Sequence, residues 1–321
     1  DRSSAVGHAR RFILDRFFEK PKRPSLLEAD LWGHTRDEAD RLATPLSLGT
    51  ARGIYWAMTR FWLKVGGLFS RGIKVGHDTG FDSGSSLDYV YRNTPEGLGP
   101  IGRLVDKIYL ASIGWRGIRQ RKVHAEEMIR AAMVKLRKDG QPVHILDIAA
   151  GHGRYVLEAL TEGVQRPDSI LLRDYSPINV EAGQTLIQSK ALQDIARFVQ
   201  ADAFSTASFQ GLDPAPTLGI VSGLYELFPE NELVRRSLAG MASAIPEGGY
   251  LVYTGQPWHP QLELIARALT SHRQGQAWVM RRRTQEEMDQ LVADAGFEKI
   301  DQRIDGWGIF TVSLARRRGP S

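Results

Sequence analysis

Cysteine is absent from the 321 residues, which excludes disulfides, thiolate catalysis and Cys-ligated zinc or iron–sulfur centres. The absence agrees with a reducing compartment, and the expected location is cytoplasmic. The histidines show neither H-x-x-x-H nor H-E-x-x-H spacing, so no metal site is expected. No uncharged run reaches the ~18 residues that a membrane-spanning helix needs. The first residues, DRSSAVGHARRFILDRFF, are charged and lack the apolar centre of a signal peptide. The chain starts on Asp1 rather than Met, as expected of a piece of a longer polypeptide. A G-x-S-x-G elbow is missing, so no hydrolase activity of that type resides here.

What is present suits a globular protein with a full core: 42% of the residues are apolar and 25% charged. The net charge of +5 is unevenly placed. Residues 1–122 hold 21 Lys+Arg against 13 Asp+Glu, a balance of +8, and the remainder holds 21 against 24, a balance of −3. A basic first third either faces an anionic partner or is a solvated face. Residues 5–19 have helical spacing (Ala9, Phe12, Ile13, Phe17), and Lys-Pro-Lys-Arg-Pro then reads as a linker. Segment 48–75 mixes aromatic residues with Arg52, Arg60, Lys64, Arg71 and Lys74. It reads either as a helix packed on the main domain with its basic groups reaching water, or as a peripheral membrane contact, there on the inner membrane face. Residues 76–100 read as a glycine-rich irregular loop, and 101–136 as helical.

The pattern changes at 141. Val143, Ile145, Leu146 and Ile148 form a short apolar strand; Gly151 and Gly153 follow in a tight turn; Tyr155, Leu157 and Leu160 carry a helix. Further strands are expected at 169–174, 196–201, 217–222, 249–255, 297–304 and 309–315. Helices are expected at 153–163, 177–192, 231–244, 259–272 and 284–295. Strand–helix alternation predicts a doubly wound parallel α/β sheet. Only Asp-Gly-Trp-Gly separates the last two strands, so they must form an antiparallel hairpin. The expected organisation is a mainly helical extension or cap over 1–136, with 1–24 a linker or the tail of an upstream domain, and a sheet domain over 137–321.

A glycine turn at a strand's carboxyl edge is a ligand site. G-x-G-x-x-G fails at Val156, and the phosphate-cradling G-x-x-x-x-G-K-[ST] is absent. Asp174 ends the second strand 21 residues after Gly153, where a carboxylate can accept hydrogen bonds from a ribose diol. Asp202 ends the third, placed to accept from an exocyclic amine.

With LDIAAGHG (146–153), RDYSP (173–177), ADAF (201–204), IPEGGYLVYTG (245–255) and the terminal hairpin, the chain resembles the class I S-adenosylmethionine-dependent methyltransferases over about 140–316. The resemblance implies a Rossmann-like seven-stranded sheet whose seventh strand is inserted antiparallel, with S-adenosylmethionine as cofactor and S-adenosylhomocysteine as product. It also implies roles for residues. Gly151, His152 and Gly153, beside Ala149, would approach the methionine moiety. Asp147 would orient its amino group, Asp174 would bind the ribose, and Asp202, Ala203 and Phe204 the adenine. Tyr175 would stack on adenine or ribose, and Ser222 or Gly223 would lie beside the sulfonium.

A closer resemblance is to a bacterial methyltransferase group sharing GFDSGSSLDYVYRN, GWRGIRQRK, SGLYELFPEN, YTGQPWHPQLE and WVMRRRTQEEMD, often fused behind a lipase-like α/β-hydrolase domain. The expected acceptor is therefore small or lipid-like and anionic. Residues after strands four and five would meet it: Glu226 and His259 as candidate bases, Tyr225 and Trp258 as walls. His259 as a helix cap, Glu226 in an ion pair with Arg281–Arg283, and Tyr225 and Trp258 as packing are the competing readings. Tyr91 and Arg92 are candidates to close over the site. Arg281, Arg282 and Arg283, with Arg116, Arg119, Arg121 and Lys122, are candidate holders of a phosphate or carboxylate. Two other functions stay open: an RNA or DNA methyltransferase, and a non-catalytic S-adenosylmethionine-binding partner of a hydrolase. Nucleic acid is not the expected partner, because no N/D-P-P-Y/F motif or RNA-binding module is present.

Overall fold

The computed structural model describes residues 36–160, 163, 165–273 and 275–319. The helix expected over 5–19 and the linker after it lie outside the described residues. Among these residues six helices precede the first strand: α1 (Arg36–Ala43), α2 (Ala51–Gly67), α3 (Arg71–Thr79), α4 (Gly84–Arg92), α5 (Gly99–Leu110) and α6 (Ile113–Lys138). Then follow β1 (His144–Asp147), α7 (Arg154–Glu158), β2 (Ser169–Asp174), α8 (Pro177–Ser189), β3 (Ala196–Gln200) and β4 (Leu218–Val221). The chain continues through α9 (Asn231–Ala244), β5 (Tyr250–Gly255), α10 (Leu262–Ala268), α11 (Gln285–Asp294), β6 (Phe297–Ile304) and β7 (Thr311–Arg317).

The strands form one seven-stranded sheet in the order β3-β2-β1-β4-β5-β7-β6, parallel except that β7 is inserted antiparallel between β5 and β6. Strand alternation sends side chains to two cores. Ile145, Ile220 and Val252 pack on one face against Met128, Ile129 and Ala132 of α6. Leu146, Val221 and Leu251 pack on the other against Val234 and Leu238 of α9 and Met288 and Leu291 of α11. Each such fully buried aliphatic side chain stabilises the fold by about 1.5–3 kcal/mol.

A third core joins the early helices to the sheet. Ile73, Tyr89, Leu110, Trp115 and Ile118 meet Leu262, Ile265, Trp278 and Phe310 there. Asp106 pins these helices from a fully buried position. Its carboxylate accepts from the Ser70 and Tyr89 hydroxyls, from Gly72 N–H at 2.9 Å and from Glu96 N–H at 2.9 Å.

Several expected elements differ, each for a local reason. The stretch 76–100 is not an irregular loop: it holds α4, started by Ser83, whose hydroxyl accepts from Ser86 N–H at 3.1 Å, and ended by left-handed Asn93. Its buried residues, Ser86, Tyr89 and Val90, recur at helical spacing, and the glycines serve close approach rather than looseness. Helix α10 is shorter than 259–272, because Pro257 and Pro260 lack N–H groups and hold the chain out of helix before Gln261. Strand β7 begins at Thr311 rather than 309. Ile309 and Phe310 turn into the third core, where the Phe310 ring would lie 3.0 Å from a Cβ at Gly117. Asp305 organises that hairpin turn, accepting from Trp307 N–H at 2.7 Å and Phe310 N–H at 2.5 Å.

Candidate functional site

The site is the carboxyl edge of β1, β2, β4 and β5, with α4 and α6 laid against it. After β1 the chain turns through Gly151 (φ 57°) and Gly153 (φ 75°), a left-handed backbone that favours glycine. A Cβ at Gly153 would overlap Leu172, whereas at Gly151 only Gly84 Cα approaches, at 3.3 Å. The start of α4 therefore rests on the turn. Ser85 Oγ lies 3.1 Å from His152 Nε2, and Asp88 takes Arg154 in a two-point pair at 2.6 and 3.2 Å. Burial alone would raise the Asp88 pKa, but hydrogen bonds from His152 and Arg154 outweigh it and hold the carboxyl well below its ordinary range.

Asp174 ends β2 and faces this turn. Its Oδ2 accepts from Gly151 N–H at 2.9 Å, and its Oδ1 from Ser176 N–H at 2.9 Å and Asn179 Nδ2 at 3.0 Å. A carboxylate has about four acceptor positions, so about one is left for a hydroxyl in this arrangement, not the two expected for a ribose diol. Asp202 is exposed and accepts from Phe204 N–H at 2.8 Å. Ala203 is buried, and Phe204 packs edge-on to Phe228 at 4.5 Å. Tyr175 is 75% exposed, free to cover a ligand at this edge. Asp147 is wholly buried beneath the turn, accepting from the Tyr155 hydroxyl and from Ala149 N–H at 3.2 Å. Burial pushes its pKa up to about 7 against the effect of those bonds. In this position Asp147 braces the turn from below.

Beyond β4 lies a second group of polar side chains. Gly223 (φ 71°) donates its N–H to Thr254 Oγ1 at 2.8 Å, and Thr254 Oγ1 lies 3.3 Å from Glu226 Oε1. Arg121, from α6, lies against Gly223 so closely that a Cβ there would meet Nη2 at 2.9 Å. Arg121, Glu226 and Gln256 are 4, 5 and 3% exposed, yet Arg121 Nε, Glu226 Oε2 and Gln256 Nε2 have no hydrogen-bond partner among the described residues. Unpaired buried groups are costly, on the order of 1–3 kcal/mol each, so these three atoms are candidates to meet a polar ligand at this edge. Ser222 is half-buried at the same edge. Tyr91 is half-buried, its ring edge-on to Tyr155 at 6.4 Å and its hydroxyl 3.5 Å from Arg121 Nη2.

The other candidates take different positions. Tyr225 is buried and its hydroxyl donates to Ser237 at 3.0 Å, in the core against α9, with burial raising its pKa. His259 is buried, its Nδ1 accepts from Gln261 N–H at 3.0 Å, and burial with nearby Arg282 pushes its pKa down to about 3. It is a neutral imidazole whose accepting nitrogen is occupied, which suits capping the turn before α10. Arg92 is exposed and paired with Asp88 at 3.3 Å and Glu96 at 2.6 Å. Trp258 packs on the third core, and Arg282 is buried beside His259. Arg281 pairs with Glu287 at 2.6 Å, and Arg283 donates to the Tyr225 and Phe228 carbonyls at 2.6 and 2.8 Å. These two clamp the loop after β4, and among the described residues neither makes an ion pair with Glu226. The site residues that the sequence reading passed over are Thr254, Gln256 and Asn179. Gln256 follows β5 as Glu226 follows β4, and that shared edge was the available signal.

The fold is that of the class I methyltransferases. The chain belongs to the family described as "Putative methyltransferase", whose model matches residues 9–317. It is 60% identical over 256 residues to the Escherichia coli K12 protein described as "Uncharacterized protein YnbC", which covers 80% of this chain and 44% of that protein. The chain thus spans less than half the length of that relative. Among solved structures it resembles a Bordetella parapertussis protein described as a possible exported protein, at TM-score 0.60 and 17% identity, over 85% of this chain and all of that one. It also resembles the magnesium protoporphyrin IX methyltransferase of Synechocystis with bound S-adenosylhomocysteine, at TM-score 0.50 and 16% identity, over 76% of this chain and 98% of that one.

Proposed function

We propose that the chain transfers a methyl group from S-adenosylmethionine to a small or lipid-like acceptor carrying an anionic group, with Glu226 as the base. The observation that carries this reading is that Arg121 lies against Gly223, that Thr254 joins Gly223 to Glu226, and that Arg121, Glu226 and Gln256 are each buried with a polar atom unpartnered among the described residues.

The residues of the turn fit the cofactor. Gly151 leaves room that a side chain would fill, Asp174 keeps an acceptor position for a ribose hydroxyl, and exposed Asp202 and Tyr175 stand at the end where adenine would lie. When bound, S-adenosylmethionine supplies an electrophilic methyl on a sulfonium. The protein's part is alignment and proton removal. Arg121 keeps its charge, because Tyr91 and Glu226 outweigh the effect of burial, and it can hold a carboxylate or phosphate. Glu226 Oε2 is free to take the proton of the attacking hydroxyl or amine, while Thr254 steadies Oε1. Gln256 Nε2 can donate to a further oxygen of the acceptor.

The test is to incubate bacterial extract with S-adenosylmethionine labelled in its methyl group, with and without the chain, and to fractionate the products. The proposal expects label in anionic lipids or small molecules. Label confined to nucleic acid, or none above background, would refute it.

A further inference from the structure

Helix α2 has two apolar faces. One packs Trp56 into the body, beside α10; the other leaves Ile54, Tyr55, Met58, Phe61 and Trp62 between 48 and 61% exposed. The exposed residues recur at i, i+1, i+4, i+7 and i+8, one continuous stripe. Helix α5 adds a second stripe, Ile101, Leu104 and Ile108, 58–71% exposed. The end of α2 and the start of α5 are joined where Leu98 N–H donates to the Phe69 carbonyl at 2.8 Å, and both of those side chains are exposed as well. A soluble monomer rarely shows so much exposed apolar surface without using it.

Charge says what covers it. Residues 41–77 contain no Asp or Glu but six Lys or Arg. The one acid on α5, Asp106, is fully buried in the Ser70–Tyr89 network. Lys64 of α2, Arg71 at the start of α3, and Arg103 and Lys107 of α5 are exposed on these same helices and make no ion pair among the described residues. A second copy placed on this face would oppose like charges, whereas a phosphate-rich surface would pair them. Aromatic residues among the aliphatic ones suit the boundary between headgroups and acyl chains. No helix among the described residues is long and apolar enough to cross a membrane, so the contact is peripheral.

We propose that this α2–α5 face docks the protein on an anionic lipid surface, Phe61 and Trp62 entering the interface and Lys64, Arg71, Arg103 and Lys107 meeting lipid phosphates. The inference stands independently of the methyl acceptor's identity.

The test is sedimentation of the full chain with vesicles of phosphatidylcholine alone and of phosphatidylcholine mixed with phosphatidylglycerol. Binding is expected to the mixed vesicles, to weaken as salt rises, and to be at least tenfold lower on neutral ones. Each charge reversed or removed is expected to lower the partition coefficient about fivefold or more, so Lys64→Glu with Arg103→Glu should abolish measurable binding. Phe61→Ser with Trp62→Ser should weaken it at every salt concentration. All four sites are exposed, and an unchanged circular dichroism melt would verify folding. Absence of binding to mixed vesicles, binding that ignores both variants, or a dimer in sedimentation equilibrium that the Phe61–Trp62 variant dissolves would overturn the proposal.

Discussion

Replacing Asp147 by Asn should expose two opposing pH dependences beneath one site. Asp147 titrates near 7 in the fold against an ordinary 3.8, so the native state binds its proton more tightly than the unfolded chain does. The stability it contributes is complete below pH 3.8 and is lost as pH rises to about 7, roughly 1.4 kcal/mol per unit and up to about 4 kcal/mol in all. His259 has the opposite sign. Its pKa falls from 6.5 to about 3, so its contribution is present above pH 6.5 and is lost as pH falls toward 3, up to about 5 kcal/mol. Between pH 3.8 and 6.5 the two slopes offset each other. Asn preserves the shape, can accept from Ala149 N–H and can donate to the Tyr155 oxygen, while its amide does not titrate. Asp147→Asn should therefore gain stability at pH 8, with a ceiling of about 4 kcal/mol, and should lose stability below pH 6.5 more steeply than the wild type. His259→Gln should do the reverse on the acid side. Urea unfolding at pH 5, 6, 7 and 8 reads both. Parallel curves for wild type and Asp147→Asn across that range would refute the burial argument.

Two further outcomes follow from the same edge. Gly153→Ala forces a side chain into a left-handed backbone and onto Leu172. A loss of about 2–4 kcal/mol in urea unfolding is expected from strain and overpacking together, and an unchanged midpoint would mean that the turn readily accepts a Cβ. Glu226→Gln should lower methyl transfer by about 10²–10⁴-fold while leaving S-adenosylhomocysteine affinity within a factor of about two. Equal loss of binding and transfer would assign Glu226 to holding the turn region rather than to proton removal.

The sheet was legible because its strands are short apolar runs separated by helices, and because four residues between 304 and 309 allow only a hairpin. Asp174 and Asp202 could be placed at its edge by strand length alone. The cap was less legible. In α4 the glycines and serines that signal a loop are there because a Cβ at Gly84 would meet Asn179 Oδ1 at 2.6 Å and because Ser83 starts the helix. Arg121 stood undistinguished in a basic cluster. Yet it falls on the same helical stripe as buried Gly117, Ile118, Ala125 and Met128, whereas Arg116 is exposed and lies over the Trp307 ring at 4.9 Å. A basic residue in an apolar stripe was the readable sign. His259 and Tyr225 looked catalytic because they follow β5 and β4. Their partners, Gln261 N–H and Ser237, are local or distant contacts that spacing does not reveal.

The central claim is that the edge of β1 and β2 holds S-adenosylmethionine. Isothermal titration of the full chain with S-adenosylhomocysteine addresses it most directly. One site per chain is predicted for the wild type, and none for Asp174→Ala, which removes the proposed ribose contact and the Gly151 hydrogen bond. No heat of binding to the wild type would contradict the account, and so would unchanged binding to Asp174→Ala.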